Sequence, residues 1–489
     1  MGFTVTEQGE MKPLKRTADE AMEVLKRHKV KFVDLQFTDM PGRLHHVTVP
    51  TRVIDSGAFE EGIPKLDGSS IRGFTDIHNS DMVLMPDPST LAIIPWIPEE
   101  QRTARLICDV HWGYGKGRFS RDPRAISQRA EEVLRANGFD HSLWGPEIEF
   151  FIFDRVRWDT SSPQRGMGYS IESTEAAWNS AGSNYPIRFK EGYFPVPPHD
   201  SLMEFRSKCN LTLEGHFGIA TDAHHHEVAT AGQCEIDMYR DYLTTMADSS
   251  VTYKYVIKNL AHQAGKIATF MPKPMFGDNG SGMHTNVSLW RNGTNLFYDG
   301  DDEYAELSQL GRYFAAGLIQ HSRALTAICC PTTNSYRRLV PGYEAPVNVA
   351  WSRSNRSSNV RVPTYKRGLR FAGQKRLEFR TPDPSCNPYL SFAAVTAAGL
   401  DGIKRKLDLP SPVDEDIYAL SDREKREREI GELPGSLREA IEALKSDMDF
   451  LSPIFTEDVL DKIIQNGERE HMEVAARPHP QEFQFYFDI

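Results

Sequence analysis

Nothing in this chain approaches the run of about 18 apolar residues that a membrane-spanning helix requires. The first 16 residues also lack the apolar centre of a secretory leader. A Met-Gly start opens an acylation pattern, but Thr6 is its sole support, so no lipid anchor and no membrane partner are expected. Positive charge is short as well: 57 Lys and Arg against 68 Asp and Glu leave a net charge of −11. Without a basic excess to displace phosphate counterions, a nucleic-acid partner is excluded, although local basic pockets are not. The six cysteines (Cys108, Cys209, Cys234, Cys329, Cys330 and Cys386) form no CxxC pair. Free thiols in a reducing compartment account for them, which makes a cytoplasmic location the expectation. Internal repeats and low-complexity tracts are absent too.

With 489 residues, 39% hydrophobic and 26% charged, the chain exceeds what one small core can organise, so two domains are expected. Thr17 and Glu20 form a capping box ahead of the apolar positions Met22 and Leu25. VKFVDLQF then alternates as a strand, DMPG turns, and LHHVTVP resumes the alternation, which is a hairpin. Short strands continue through MVLMPD and LAIIPWIP. One helix among strands predicts a small α+β unit over residues 1–115, with the Gly-rich 113–117 as linker to a second domain over 116–489. There Asp122 and Pro123 read as N-cap and first helical position, Gly138 lies just past the end, and Ile126, Ala130, Val133 and Leu134 form the buried stripe. Residues 159–198, rich in Ser, Gly, Pro and Asn, predict a long loop or insertion. Ser436 and Glu439 make another capping box. The closing EFQFYFDI alternates like a strand and is apolar enough to pack on something, such as a neighbouring subunit.

The chemistry centres on residues 270–287, FMPKPMFGDNGSGMHTNV. Its prolines and glycines exclude helix and predict a bare, mobile loop with exposed amides that feeds a strand. In that strand, alternation puts His284, Asn286 and Ser288 on one face, a candidate ligand floor; a solvated turn is the bland alternative. In WGPEIEFFIF, Glu147 and Glu149 share one face of an apolar strand. Buried glutamates need a compensating partner, and a divalent cation is the obvious one unless that face is wet. In HHHEVATAGQCE, neighbours on a strand point to opposite faces, so three histidines cannot all bind one ion. Glu227 and Glu235 flank an AGQ turn that can fold them together. Carboxylates with a single imidazole favour Mg²⁺ or Mn²⁺ over zinc. In RLEFR, Arg376, Glu378 and Arg380 alternate onto one face, as an ion-pair ladder or as an anion clamp around a metal-binding glutamate. Further arginines crowd YRRLVPGYEAP and SRSNRSSNVR, and so many in an acidic chain suggest a pocket for phosphate and carboxylate groups.

Taken together, DLQFTDMPGRLHHVTVP, LDGSSIRGF, GPEIEFFIFD, HHHEVATAGQCE, KPMFGDNGSGMH, PTTNSYRRLVPGYEAP, NRSSNVRVP, RLEFRTPDPSCNPYLSFAA and RPHPQEF strongly resemble type I glutamine synthetase. They run in family order from about residue 30 to the end. The resemblance implies an α+β protein: an N-terminal β-grasp domain, then a catalytic domain with a curved antiparallel sheet of the kind shared with guanido kinases. It implies a homododecamer of two stacked hexamers, with sites between adjacent subunits. The implied reaction is nitrogen assimilation: ATP phosphorylates the γ-carboxylate of glutamate, and ammonia displaces phosphate from γ-glutamyl phosphate. Two or more Mg²⁺ or Mn²⁺ ions would serve each site.

Carried over residue by residue, Glu149, Glu227 and Glu235 would hold one ion, and Glu147, His284 and Glu378 the other. Arg356, Arg361 and Arg376 match positions facing ATP and its transferring phosphate, with Asn286 and Ser288 on the same floor. Arg338 and Arg380 match the clamps on glutamate, beside Asn279 and Gly280. Glu344 matches a flap glutamate that shields the acyl phosphate from water. Asp39 matches the aspartate that binds ammonium and removes its proton, reaching the neighbour's site. Departures are informative. Arg240 stands where the family often has an aromatic residue against adenine. Tyr418 aligns with a tyrosine that some members adenylylate, but its neighbours lack the usual Asp-Leu-Pro, which argues against modification. Arg72 matches an arginine of the feedback-regulated subgroup, whereas residues 159–198 resemble the other subgroup. Regulation is therefore mixed in signal, with feedback control and a nitrogen-regulatory partner both left open. Rival readings are a ligase for polyamines or other amines, which the intact Asp39 turn opposes, and a non-catalytic relative, which the six intact metal positions oppose.

Overall fold

A computed structural model describes residues 3–5, 11–13, 15–75, 77, 80–179 and 185–489. Met1, Gly2 and Thr6 of the acylation pattern, and residues 180–184 of the expected insertion, lie outside the described residues.

Alternating apolar residues build a first sheet. Strand Phe32–Thr38 pairs antiparallel with Leu44–Pro50 around the 39–43 turn, and parallel with Thr103–Trp112. Asp81–Pro86 and Ile63–Asp67 complete the order, and Ala92–Ile93 adds a short piece. Val33, Leu35, Leu84, Leu106 and Val110 form one core with Ala21 and Leu25 of helix Ala18–Arg27. The predicted capping box is present: the Glu20 amide donates to the Thr17 hydroxyl, and the Thr17 amide donates to the Glu20 carboxylate. It satisfies two of the amides that a helix start leaves unpaired.

The second sheet is larger and mixed with helices. Its order is Thr221–His226, Gln233–Met238, His141–Phe153, Met283–Arg291, Leu377–Phe379, Ser358–Arg361, Asn348–Ser352 and Gly431–Glu432. All neighbours are antiparallel except Ser358–Arg361 with Asn348–Ser352. The long strand His141–Phe153 is central, and it also receives Asp241–Tyr242 and Ile267–Thr269. Helices Leu243–Gln263, Gln309–Cys329 and Pro388–Arg405 cover the sheet with mostly buried residues. The last two approach closely at Gly317, where a Cβ would lie 2.0 Å from the Ala398 carbonyl oxygen. Helix Pro123–Ala136 begins as expected, with the Asp122 carboxylate accepting from the Arg124 amide and Gly138 at φ +82° after its end.

A buried ion-pair cluster joins the two sheets. Arg124 reaches Asp87 and Asp109 of the first unit at 2.6 Å each and Asp248 of helix Leu243–Gln263 at 2.9 Å. One guanidinium shared by three carboxylates keeps its charge compensated out of water.

Three local expectations need correction. The tail is a helix, Pro480–Tyr486, not a strand. His479 caps it, Pro480 takes its first position, and Phe483 and Phe487, four apart, stack with ring centroids 6.3 Å apart. The Gly-rich loop is packed rather than bare: Asp278, Asn279 and Ser281 are buried. The Asp278 carboxylate accepts from the amides of Lys190, Thr230 and Asn279, which fixes the loop to its surroundings. Residues 159–198 are not loop throughout, because Gly168–Glu172 pairs back onto the preceding strand Arg155–Asp159 as a hairpin. Among the described residues no helix is long and apolar enough to cross a membrane.

Candidate active site

The strand register assembles the site. Glu149 lies opposite Glu235, and Glu235 lies opposite His225. Glu147 faces His284, Asn286 faces Glu378, and Glu378 faces Arg361. Because alternate residues of a strand share a face, these rows place acids, imidazoles and guanidiniums on one concave side. All of these but Asn286 line a cavity of about 300 Å³ together with Asn279, Gly280, Arg338, Glu344, Arg356, Arg376 and Arg380. An adjoining cavity of about 520 Å³ shares Glu147, Asp237 and Arg376 with it and adds Asn286, Ser288 and Arg240.

Two clusters of ligand-type atoms stand out. In Glu147, His284 and Glu378, one such atom from each residue lies within 4.8 Å of the others, and the same holds for His225, Glu227 and Glu235. Each cluster offers two carboxylates and one imidazole, a donor set suited to a hard divalent cation. The electrostatics fit the same ion. Burial pushes the Glu149 carboxyl up to about 7. Burial, then neighbouring carboxylates, push Glu227 and Glu235 well above the usual carboxylate range. So much desolvated negative charge lacks a counter-charge, which a cation would supply.

Glu378 is different. Burial raises its carboxyl, but Arg380 and Arg361, at 2.8 and 2.6 Å, overcome it and hold the group below its ordinary value. Burial and then Arg380 hold the His284 imidazole well below its ordinary value, so it stays neutral and able to donate a lone pair. Asn286 donates to Glu147 at 3.0 Å and accepts from Arg376 at 2.8 Å, which links the two cavities.

Backbone chemistry shapes the rest. Arg338 spends its fork on the carbonyls of Thr381 and Arg380, at 2.9 and 3.2 Å, which fixes the guanidinium at the cavity wall. Gly280 admits no side chain, since a Cβ would lie 2.4 Å from the Pro272 carbonyl, and at Gly282 a Cβ would crowd the side-chain ends of Arg338 and His284 at 2.8 Å. Glu344 stands exposed at the cavity mouth at φ +59°, a conformation that L residues rarely adopt and that often marks a functional loop.

Some expected residues lie elsewhere. Asp39 is buried in the first sheet's hairpin and does not line this cavity. Arg72 lines a separate cavity of about 100 Å³ with Met40, Pro41 and Asn466. The Tyr418 hydroxyl donates to the Ala345 carbonyl behind the Glu344 loop, and burial pushes it up to about 12. The Arg240 guanidinium lies over the Trp290 ring at 5.4 Å and donates to the Gly373 carbonyl, so it forms part of the wall of the second cavity.

His225 was missed from the sequence. Its ring lies 3.4 Å from Glu227 and 3.6 Å from Glu235. The signal was present: in HHHE, alternation places residues 225 and 227 on one face. His224 instead meets the Ser207 hydroxyl, and His226 is buried against Glu175. Gln233, Asp237, Tyr193 and Phe194 also line the cavity and had no sequence signal of their own.

Residues 29–113 match the family model described as the glutamine synthetase β-grasp domain, and residues 120–486 match the glutamine synthetase catalytic domain. The chain belongs to the glutamine synthetase family. Glutamine synthetase of Sulfolobus acidocaldarius is 54% identical over 98% of this chain and 100% of its own length. The Salmonella typhimurium glutamine synthetase is 46% identical over 97% of this chain and all of its own. Among solved structures, Plasmodium falciparum glutamine synthetase superposes with a TM-score of 0.86, at 27% identity, over 97% of this chain and 100% of that one. The chain is a glutamate–ammonia ligase, making glutamine from glutamate and ammonia with ATP.

Proposed function

We propose that the concave face of the second sheet holds glutamate and the ATP phosphates over two divalent cations, Mg²⁺ or Mn²⁺. One cation would rest on Glu147, His284 and Glu378. The other would rest on Glu149, Glu227 and Glu235, with His225 beside the last two. When bound, the cations neutralise phosphate and carboxylate oxygens that would otherwise repel one another. Arg338 and Arg380, with Asn279 and Gly280, orient the glutamate. Arg356, Arg361 and Arg376 balance the charge of the transferring phosphate, and Asn286 and Ser288 floor the nucleotide cavity. A γ-carboxylate oxygen takes the γ-phosphoryl group. Ammonia then forms the C–N bond as phosphate leaves, while Glu344 closes over the γ-glutamyl phosphate and excludes water.

The observation that carries this reading is the pair of carboxylate–imidazole clusters on one sheet beside a ring of guanidiniums. Asp39, outside its own chain's cavity, is assigned to ammonium at a neighbouring subunit's site. That assignment fits a homododecamer of two stacked hexamers. The exposed Phe483, Phe485, Phe487 and Ile489 of the C-terminal segment offer apolar surface for such an assembly. Six buried free cysteines suit a cytoplasmic enzyme. The hydrogen-bonded Tyr418 hydroxyl weighs against adenylylation, and the separate Arg72 cavity is where feedback control or a nitrogen-regulatory partner would act. A steady-state phosphate-release assay tests the reading. Release should require glutamate, ATP and ammonium together, with polyamines inactive in place of ammonium. Equal rates with polyamines, or release without any amine, would contradict it.

A further inference from the structure

The loop that carries Glu344 is pinned at both ends and tied across its middle. At its base, Asn334 Nδ2 donates to the Lys273 carbonyl at 3.0 Å, and its Oδ1 accepts from the Lys273 amide at 2.8 Å. At its far end Ala345 is buried, and its carbonyl accepts from the Tyr418 hydroxyl. Between them Gly342, at φ +90°, and Glu344 are exposed, with the half-buried Tyr343 at the centre. Two lysines from separate segments meet that ring. The Lys273 ammonium lies 3.8 Å from the ring centroid, and the Lys190 ammonium lies 4.4 Å from it. Each also donates to a backbone carbonyl, Lys190 to that of Gly342 at 2.9 Å and Lys273 to that of Asp278. The two lysines share a footing, because the buried Asp278 carboxylate accepts from the Lys190 amide at 3.1 Å and from the Thr230 amide at 2.8 Å. Asn279 and Gly280 come next in the chain and line the cavity, as do Tyr343 and Glu344.

We propose that Lys190 and Lys273 clamp the Tyr343 ring and so hold the Glu344 loop shut over the cavity, which lets ammonia rather than water meet the γ-glutamyl phosphate. The inference rests on the reading above that Glu344 shields this intermediate. An aromatic face carries partial negative charge, and an ammonium within about 6 Å of its centroid is attracted to it. Two cations at one ring also repel each other, and the carbonyls of Gly342 and Asp278, each accepting from one of them, offset that repulsion. Side chains alone make the ring contact, so it can release without unfolding the base of the loop, as exchange of glutamate for glutamine requires. With the loop open, a water oxygen bonds to the γ-carbon and the C–O bond to phosphate breaks. Glutamate, phosphate and a proton are released, and ATP is consumed with no glutamine made. Tyr343, Lys190 and Lys273 are positioning residues, since they act through the placement of Glu344.

The test counts phosphate released per glutamine formed by the full enzyme, with glutamate, ATP and ammonium saturating. Tyr343→Leu should release about two or more phosphates per glutamine, where the wild type releases about one. Lys273→Met and Lys190→Met should leak in the same direction. Tyr343→Phe keeps the ring face and loses only the hydroxyl, so it should return to the wild-type ratio. Because the quantity is a ratio, it does not depend on how much of a variant folds, and a merely weakened fold lowers both products together. Glu344→Ala serves as the reference for a missing shield and should leak as well. A wild-type ratio in Tyr343→Leu, or in both lysine variants, while Glu344→Ala leaks overturns the clamp and leaves the role of Glu344 standing. Equal leakage in Tyr343→Phe and Tyr343→Leu also overturns it, because the hydroxyl rather than the ring face would then hold the loop. A wild-type ratio in Glu344→Ala removes the shield itself, and the clamp with it.

Discussion

Around Glu378 the guanidiniums of Arg361 and Arg380 lie at 2.6 and 2.8 Å, and the carboxyl is held below its ordinary value despite full burial. Across the same sheet, burial and neighbouring acids push Glu227 and Glu235 the opposite way. Both regions are desolvated to similar degrees, so burial alone does not decide a carboxylate's state. The partner does. The Glu378 carboxylate is charge-balanced by the chain's own arginines even before a cation arrives, whereas Glu227 and Glu235 have no such partner. That division makes chemical sense for a ligase. A fixed ion pair holds the floor in shape when the site is empty, and an uncompensated acid cluster gives the incoming cation its affinity.

The division can be broken by mutation. Glu378→Ala should reduce ligase turnover by about 10³-fold or more, since it removes a cation ligand and the anchor of two arginines. It should also destabilise the fold by about 3–5 kcal/mol, because two buried guanidiniums lose their carboxylate. Thermal or urea unfolding of the purified variant checks the second effect independently of the first. A variant that unfolds like the parent would mean that Glu378 is not the keystone of that ion pair.

A pH series sharpens the contrast. With chelator present, the folded chain keeps a proton on Glu149 up to about 7, against 4.5 in the unfolded chain. The folded state then binds more protons within that window, so stability is greatest at its acid end and falls as pH rises through it. The total fall is up to about 3 kcal/mol, levelling off above the folded pKa. Urea unfolding at pH 5 and pH 8 measures it. Saturating Mg²⁺ should flatten the slope, and an equal slope with and without metal would contradict the account.

Mg²⁺ should itself stabilise the wild-type chain by about 2.7 kcal/mol at a hundredfold excess over its Kd. The smallest effect expected is the most discriminating in sign. Glu235→Gln should lose activity yet stabilise the metal-free fold by about 1 kcal/mol, because it relieves like-charge crowding. If it destabilises as Glu378→Ala does, the two regions are not distinct.

Much of this site could be read in advance because strand alternation fixes faces. Glu147 with Glu149, His284 with Asn286, and Arg376 with Glu378 and Arg380 were grouped by spacing alone, and the register then set those groups opposite one another. Cross-strand pairing is a long-range fact that spacing does not contain: alternation groups His225 with Glu227, but only the register sets it opposite Glu235. The Gly-rich loop was misjudged as bare because its packing comes from Asp278 reaching residues 190 and 230, far away in sequence. The tail was misjudged because phenylalanines at 483, 485 and 487 satisfy a period of two, while His479, Pro480 and Glu482 carried the opposing helix-start signal. In the first unit the hairpin and its capped helix followed local rules and were legible throughout.

The account's central claim is that two acid–imidazole clusters on one sheet each gather a divalent cation. A Mn²⁺ titration of wild type, Glu235→Gln and Glu378→Ala, followed by the paramagnetic resonance of the free ion, tests it directly. Two tight sites per wild-type chain, with one lost in each variant, is the predicted result. Two sites retained in both variants, or none in the wild type, would contradict it.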